Sequence, residues 1–334
     1  MPLIDIIDTA EAVNAEDGET ILSAVQRAGV AFSHSCLAGN CGSCKCELID
    51  GDIYELERSE FALTDAERAS GLILACRTQV WGDTRIRRLA EDELIVHPSR
   101  ILNCHVSHLE TLTHDIRAVH LTPYGAAAFL YSPGQFASVE FLPGIERQYS
   151  MAGIAADATL QFHVRRVPGG KTSTHVVEQL REGDAVTVRG PLGSSYLREQ
   201  HAGPVLLVAG GSGLAPIESI LRGIFAQAAP GGERAPVRLY FGARAERDIY
   251  HEALLSAWAR DYPWFSYDIV LSDDSSTRRR RGFVHDALAG ELASVTDMKA
   301  YLAGPPPMVE ATTGFLTDQG MAMRDIHADA FYDQ

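Results

Sequence analysis

The stretch HSCLAGNCGSCKCELIDG, residues 34–51, sets Cys36, Cys41, Cys44 and Cys46 within eleven positions. A fifth cysteine, Cys76, follows in LILACRTQV. What so much thiol is for depends on the redox compartment. The N-terminus MPLIDIIDTAEAV carries acids where an export signal would carry basic residues. A cytoplasmic protein is therefore expected, and there thiols stay reduced. The six cysteines of the chain then read as metal ligands plus leftovers, not as disulfides.

Cys36, Cys41 and Cys44 form C-x4-C-x2-C, and Cys76 stands apart. This is the plant-type spacing for a [2Fe-2S] cluster, in which three thiolates come from one loop and the fourth from elsewhere. Gly39 and Gly42 let such a loop curl, because glycine accepts positive φ without a Cβ clash. Small neighbours, Ala38 and Ser43, leave backbone N–H groups free to point at sulfur. A structural zinc site is the rival, but it usually pairs two short C-x2-4-C spacings, which the lone Cys76 does not supply. Cys46 lies in the alternating strand pattern of CKCELIDG and is expected in the core as a small hydrophobe; Cys104, alone, gets the same reading. Around the loop, LIDIIDTA reads as a strand, GETILSAVQRAGV as an amphipathic helix and TDAERASG as a short helix capped at Thr64. GDTRIRRLAEDELIVHPS reads as a last strand running into a linker.

At 334 residues the chain is too long for one small core, and two or three domains are expected. Its most apolar stretch, PVLLVAGGSGLAPI, is broken by glycines, and no run of 18 apolar residues exists, so no membrane-spanning helix is expected. The formal charge of -15 argues against nucleic acid, whose binding depends on neutralising phosphates. Residues 1–93 hold 18 Asp/Glu against 8 Lys/Arg, ten of those negative charges. Such an acidic face serves solubility or docks a basic protein partner.

From about residue 100 the texture becomes short alternating strands, among them RILNCHVSHLETLT, DIRAVHLTP, QFASVEFLP, TLQFHVRRV and DAVTVRGPLG, separated by turn signals. This predicts an antiparallel barrel over 100–200. From about 203, buried strands alternate with helical stretches, predicting a parallel α/β sheet over 203–334. The turn AGGSGLAP, residues 209–216, follows the first of those strands. Gly210, Gly211 and Gly213 would let a pyrophosphate approach backbone N–H groups and a helix N-terminus. It departs from G-x-G-x-x-G, so alone it is a weak signal, with a plain tight turn as the rival.

Four fragments in order carry a resemblance: RQYS (Arg147 to Ser150), GKTST (Gly170 to Thr174), GGSGLAP and AGPPPM (Ala303 to Met308). They resemble the two flavin motifs, the nicotinamide-dinucleotide turn and the C-G-P-P-P-M segment of the ferredoxin–NADP reductase superfamily. With residues 1–93 similar to plant-type ferredoxins, the chain resembles the reductase components of bacterial aromatic-ring dioxygenases over nearly its whole length. The resemblance implies a multidomain protein of α+β, all-β and α/β parts: a β-grasp ferredoxin domain (1–93), an antiparallel FAD-binding β-barrel (100–200) and a parallel α/β nicotinamide-dinucleotide-binding domain (203–334). It implies electrons passing from NAD(P)H through FAD and a [2Fe-2S] cluster, held by Cys36, Cys41, Cys44 and Cys76, to an oxygenase component or a small ferredoxin.

The implied residues also make chemical sense. Arg147 offers a fork of donors for phosphate. Tyr149 gives a ring for stacking. Ser150 can hydrogen-bond the reactive flavin nitrogen, and Ser173, Thr174 and the backbone at Gly170 can hold a pyrophosphate. Gly304 and Pro305 line the nicotinamide site. Two departures stand out: Ala303 replaces the family cysteine beside the flavin, and Asp329 and Phe331 of HADAFYDQ are the candidates for the carboxylate and aromatic near it. Ser272 is followed by Asp273 where NADPH-preferring relatives have Ser-Arg; a carboxylate repels a 2'-phosphate, so NADH is expected, against the nearby run Arg278 to Arg281. The same electron chain could serve a soluble di-iron monooxygenase or a sugar-deoxygenating dehydratase. A non-enzymatic electron carrier or redox sensor would not need the nicotinamide motifs. A monomer is expected.

Overall fold

The computed structural model describes residues 1–9, 11–34, 36–89, 93, 95–125, 129–292 and 294–332. The chain forms two units, Met1–Val96 and His97–Gln334. Part of the expected linker, Ala90 to Asp92 and Leu94, lies outside the described residues.

The first unit is built from β1 (Leu3–Ile6), β2 (Glu11–Asn14), α1 (Ile21–Arg27), β3 (Lys45–Glu55), α2 (Asp65–Ala69), β4 (Leu72–Leu74) and β5 (Thr78–Arg88). The sheet order is β2-β1-β5-β3-β4, with β1 and β5 parallel and the other pairs antiparallel, which is a β-grasp sheet. Helix α1 starts where Thr20 Oγ1 accepts the Ser23 N–H at 3.2 Å. It buries Ile21, Leu22, Ala24 and Val25 in a core shared with Ile4, Ile6, Val80 and Ile86. Each of the larger aliphatics contributes about 2 kcal/mol of burial, so Val25→Asp would break this packing first. Helix α2 opens with a capping box between Thr64 and Glu67.

The second unit begins with β6 (Arg100–Thr111), β7 (Ile116–Pro123), β8 (Phe136–Leu142), β9 (Ile145–Ser150), β10 (Leu160–Arg165), α3 (Lys171–Glu178) and β11 (Ala185–Leu192). These strands form an antiparallel sheet, order β10-β7-β6-β11-β8-β9. A bridge between Met151, just past β9, and Phe162 of β10 joins its two outer strands into a near-barrel. Inward positions at alternate residues fill it: Val139 and Phe141, Phe162 and Val164, Val186 and Val188.

The chain continues through β12 (Val205–Gly210), α4 (Leu214–Ala226), β13 (Val237–Ala243), α5 (Glu252–Asp261), β14 (Phe265–Leu271), β15 (Arg280–Arg281), α6 (Val284–Ala289), β16 (Lys299–Gly304), α7 (Pro306–Asp318) and β17 (Ile326–Ala330). All pairs are parallel, in the order β15-β14-β13-β12-β16-β17. Every residue of β12 and β16 is buried, as a central parallel strand requires. The strand order reverses between them, and α/β sheets take ligands in the crevice at such a switch point. Helix α4 docks on the barrel: Ser219 Oγ accepts the Gly134 N–H at 3.1 Å, and Arg222 pairs with Asp157 at 2.7 Å.

Candidate active site and cluster loop

In the first unit the loop ahead of β3 brings its three cysteines toward Cys76, which sits in the single turn between β4 and β5. Cys44 Sγ lies 3.2 Å from Cys76 Sγ. Backbone N–H groups point at sulfur: Asn40 to Cys36 at 3.2 Å, Cys36 to Cys41 at 3.4 Å and Cys76 to Cys44 at 3.5 Å. Gly39 and Gly42 both adopt φ +77°, and a Cβ on Gly42 would stand 2.8 Å from the Ala62 carbonyl. The thiols crowd one another. A hydrogen bond from Cys41 lowers Cys36 to about 6, while the hydrogen bond to Cys36 and burial push Cys41 well above the ordinary thiol. Cys44 is pushed up likewise against Cys76. Four such groups ionise together only around cations, which is the chemistry of an iron–sulfur ligand set. Cys46 and Cys104 are fully buried in their cores, and burial raises Cys104 to about 11.

In the second unit the candidates gather at the switch point. Glycines make the gathering possible: a Cβ on Gly213 would overlap the Ala303 carbonyl, and one on Gly304, at φ +141°, would lie 2.7 Å from the Gly210 carbonyl oxygen. Gly210, Gly211 and Gly213 form the turn from β12 into α4, where the Leu214 N–H bonds the Gly211 carbonyl. Ala303 pairs in register with Asp329 of β17, and the Phe331 N–H bonds the Gly304 carbonyl at 2.9 Å. Across from them, Ser150 at the end of β9 donates to Asp329 Oδ2 at 2.8 Å. Both side chains are buried. Ser150, Ala303, Gly304, Asp329 and the backbone of Phe331 are thus one cluster, and exposed Pro305 opens α7 beside it.

The remaining candidates lie on the barrel. Tyr149 packs edge-on against Phe141 at 5.3 Å, and burial pushes its phenol up to about 12. Arg147 is half-buried and bonds the Glu146 carbonyl. Gly170 caps α3, and Thr174 N–H closes its first turn on the Gly170 carbonyl at 3.1 Å. Ser173 Oγ is occupied locally: it takes the Val167 N–H at 3.1 Å and faces the Gly170 carbonyl. Thr172 Oγ1, in the same turn, is buried with no protein partner, an orphaned donor that suits a phosphate oxygen. Sequence reasoning passed over Thr172, although it sits inside the quoted GKTST.

Three domain descriptions match the chain in this order: a 2Fe-2S iron-sulfur cluster binding domain over residues 4–80, an oxidoreductase FAD-binding domain over 103–196 and an oxidoreductase NAD-binding domain over 207–314. A naphthalene 1,2-dioxygenase system ferredoxin–NAD(P)(+) reductase component from Pseudomonas putida is 38% identical over 318 residues, 94% of either chain. This chain belongs to the family of reductase components of bacterial aromatic-ring-hydroxylating dioxygenases. The reductase is also 40% identical to a component of the naphthalene 1,2-dioxygenase/salicylate 5-hydroxylase systems of a Ralstonia species, over 96% of this chain and 95% of that one. It superposes on the crystal structure of the Amycolatopsis cytochrome P450 reductase GcoB with a TM-score of 0.81 and 35% identity, covering 99% of both chains. The reductase is an NAD(P)H-dependent oxidoreductase that uses FAD and a [2Fe-2S] cluster.

At the edge of the reductase's parallel sheet, Ser272 and Asp273 are exposed just past β14. Two members of the arginine run are tied to glutamates: Arg279 bonds Glu246 and Glu252 at 2.8–3.2 Å, and Arg280 pairs with Glu291. A further cation reaches the glycine turn from the barrel. Arg165, at the end of β10, is held by Asp115 at 2.8 Å, and its Nη1 lies 2.8 Å from where a Gly211 Cβ would be. The strand pattern of TLQFHVRRV carries no sign of this approach. No described helix is long and apolar enough to cross a membrane.

Proposed function

We propose that the reductase takes its electrons from NADH and delivers them to the oxygenase of a multicomponent aromatic-ring dioxygenase, directly or through a small ferredoxin. The observation that carries the chemistry is the Ser150–Asp329 hydrogen bond, which ties the barrel to the strand edge beside Gly304. Held by these residues, the nicotinamide and FAD would supply hydride transfer and the splitting of an electron pair, and the cluster would supply one-electron transfer.

On this reading Ser150 and Asp329 are catalytic. Asp329 accepts a hydrogen bond from the Ser150 hydroxyl and holds it in place, leaving the serine oxygen open to a reacting flavin nitrogen. Arg147, Tyr149, Gly170, Ser173 and Thr174 hold FAD; Ser173 does so by shaping the turn, given its local bonds. Gly210, Gly211, Gly213, Ser272, Gly304 and Pro305 hold the nicotinamide dinucleotide, and Phe331 is the aromatic beside the flavin. Cys36, Cys41, Cys44 and Cys76 are the iron ligands. The functional division is 1–93, 100–200 and 203–334. Asp273 and the pairing of Arg279 and Arg280 with glutamates support NADH over NADPH. The acidic balance of residues 1–93 supports a basic face on the partner. One chain carries every site residue, so a monomer suffices. The acidic N-terminal stretch MPLIDIIDTAEAV, unlike an export signal, supports a cytoplasmic setting.

The test is replacement. The purified chain should support NADH-driven oxygenation when it substitutes for the reductase of a naphthalene 1,2-dioxygenase system. Failure there, with turnover alongside a phenol 2-monooxygenase, would favour the second reading, a soluble monooxygenase client. That reading rests on 33% identity to the phenol 2-monooxygenase reductase component of a Pseudomonas strain.

A further inference from the structure

Tyr250 connects the barrel to the glycine turn. Its hydroxyl donates to the Gly211 carbonyl at 3.3 Å and lies 3.2 Å from His163 Nδ1. On the far side of that ring, His163 Nε2 meets Gln161 Nε2 at 3.3 Å. One assignment satisfies all three contacts. The Gln161 amide donates to His163 Nε2, His163 Nδ1–H donates to Tyr250 Oη, and the phenol proton goes to Gly211 O. His163 and Tyr250 are 5% and 4% exposed, so water does not substitute for these bonds.

A second pair braces the relay. His251 Nδ1 and Glu218 Oε2 are 2.7 Å apart, with Glu218 buried on α4. The His251 ring stands edge-on to His163 at 5.3 Å and to Tyr250 at 5.0 Å. His251 adopts φ +55°, which a residue with a Cβ takes only when its surroundings impose it. The donor atoms of His163, Glu218 and His251 lie within 4.8 Å of one another, a grouping that could hold a metal. Because His163 spends both nitrogens in the relay, the grouping reads instead as a hydrogen-bonded brace.

The geometry has a consequence at the turn. Gly211, at φ +56°, has no side chain to fix its peptide plane. Its carbonyl is held inward by Tyr250 and by the N–H of Leu214 at the start of α4. In a trans peptide C=O and N–H point oppositely, so an inward Gly211 carbonyl turns the Ser212 N–H outward. We propose that Tyr250, oriented by His163, positions the Gly211–Ser212 peptide for the dinucleotide's pyrophosphate, so that the barrel sets the affinity of the nucleotide site. The proposal rests on reading Gly210–Gly213 as the nicotinamide-dinucleotide turn. Tyr250 and His163 are positioning residues.

Tyr250→Phe removes the hydroxyl and keeps the ring packed against Phe241. The full chain, loaded with FAD and cluster, is assayed by ferricyanide reduction with NADH and with reduced nicotinamide mononucleotide, which has no pyrophosphate. The KM for NADH should rise about fivefold, as expected for one buried hydrogen bond, with kcat within about twofold. The KM for the mononucleotide and the FAD content should not change, while Tm should fall by about 2–4 °C because the His163 Nδ1–H loses its buried partner. His163→Phe should raise the NADH KM less, His163→Gln should restore it, and the double variant should be no worse than Tyr250→Phe alone. An unchanged NADH KM in Tyr250→Phe overturns the proposal, as does an equal rise with both donors. A parent chain that uses the two donors with the same KM overturns the reading of the turn itself.

Discussion

The cysteine loop and the switch-point crevice assemble their chemistry by opposite means. In the loop, Cys36, Cys41 and Cys44 belong to one short segment, and the fold has only to curl it and bring in Cys76 on the turn between β4 and β5. In the crevice, Ser150 and Asp329 are 179 positions apart and meet because a barrel strand ends over a sheet edge. Damage should therefore stay local in the first case and spread in the second. A ligand lost from the loop removes an electron carrier; a methyl group added at the crevice pushes two strand ends apart.

The widest separation of the two regions should come from Cys76→Ser. Cytochrome c reduction should fall at least about 100-fold while NADH-driven ferricyanide reduction stays within about twofold, since only the first needs the cluster. Equal losses in folded protein would break the comparison. Gly213→Ala, whose Cβ overlaps the Ala303 carbonyl, should cost the second unit about 3 kcal/mol in urea unfolding. Gly29→Ala in the first unit, at φ +74° with nothing within 4 Å, should cost about 1 kcal/mol from backbone conformation alone.

A pH series sharpens the contrast further. Burial lowers His163 from 6.5 to about 4, so the unfolded chain binds a proton there that the native chain refuses. Its contribution to stability is full above pH 6.5 and is lost as pH falls toward 4, roughly 3 kcal/mol in all. Calorimetry of the second unit's transition should show that slope, and His163→Gln should flatten it. Ser150→Ala should lower kcat with NADH about tenfold at unchanged FAD content, the loss expected for one hydrogen bond made to the reacting group. The smallest effect belongs to the exposed edge. Asp273→Ser should narrow the NADH/NADPH preference about fivefold in kcat/KM, as removal of one solvent-screened repulsion allows.

Much of this was legible before any coordinates. Cysteine spacing is local, so Cys36, Cys41, Cys44 and Cys76 announced their convergence, and the capped helix at Thr64 and the alternating barrel strands carried their own signals. RQYS and GGSGLAP marked the crevice by order along the chain. Less of its interior could be read. Arg165, His163 and Gln161 occupy ordinary strand positions, and alternation reports only which face is buried. Tyr250 and His251 precede a helix without any motif. Ser173 looked like a free hydroxyl and is tied into its own turn, while Thr172 beside it is the unpartnered one. The run Arg278 to Arg281 read as a case against NADH, yet Arg279 and Arg280 are pinned by Glu246, Glu252 and Glu291, residues between 11 and 33 positions away.

What the amino-acid order settled by itself was the kind of chemistry: thiolate spacing, small residues at turns and the period of apolar side chains are properties of neighbours on the chain. What only the folded molecule decided was the company each group keeps. The bond from Ser150 to Asp329, the guanidinium against Gly211 and the relay through Tyr250 depend on strand order and on two backbones approaching closer than a Cβ permits. Such contacts join segments with no local correlation, so packing alone brings them into being.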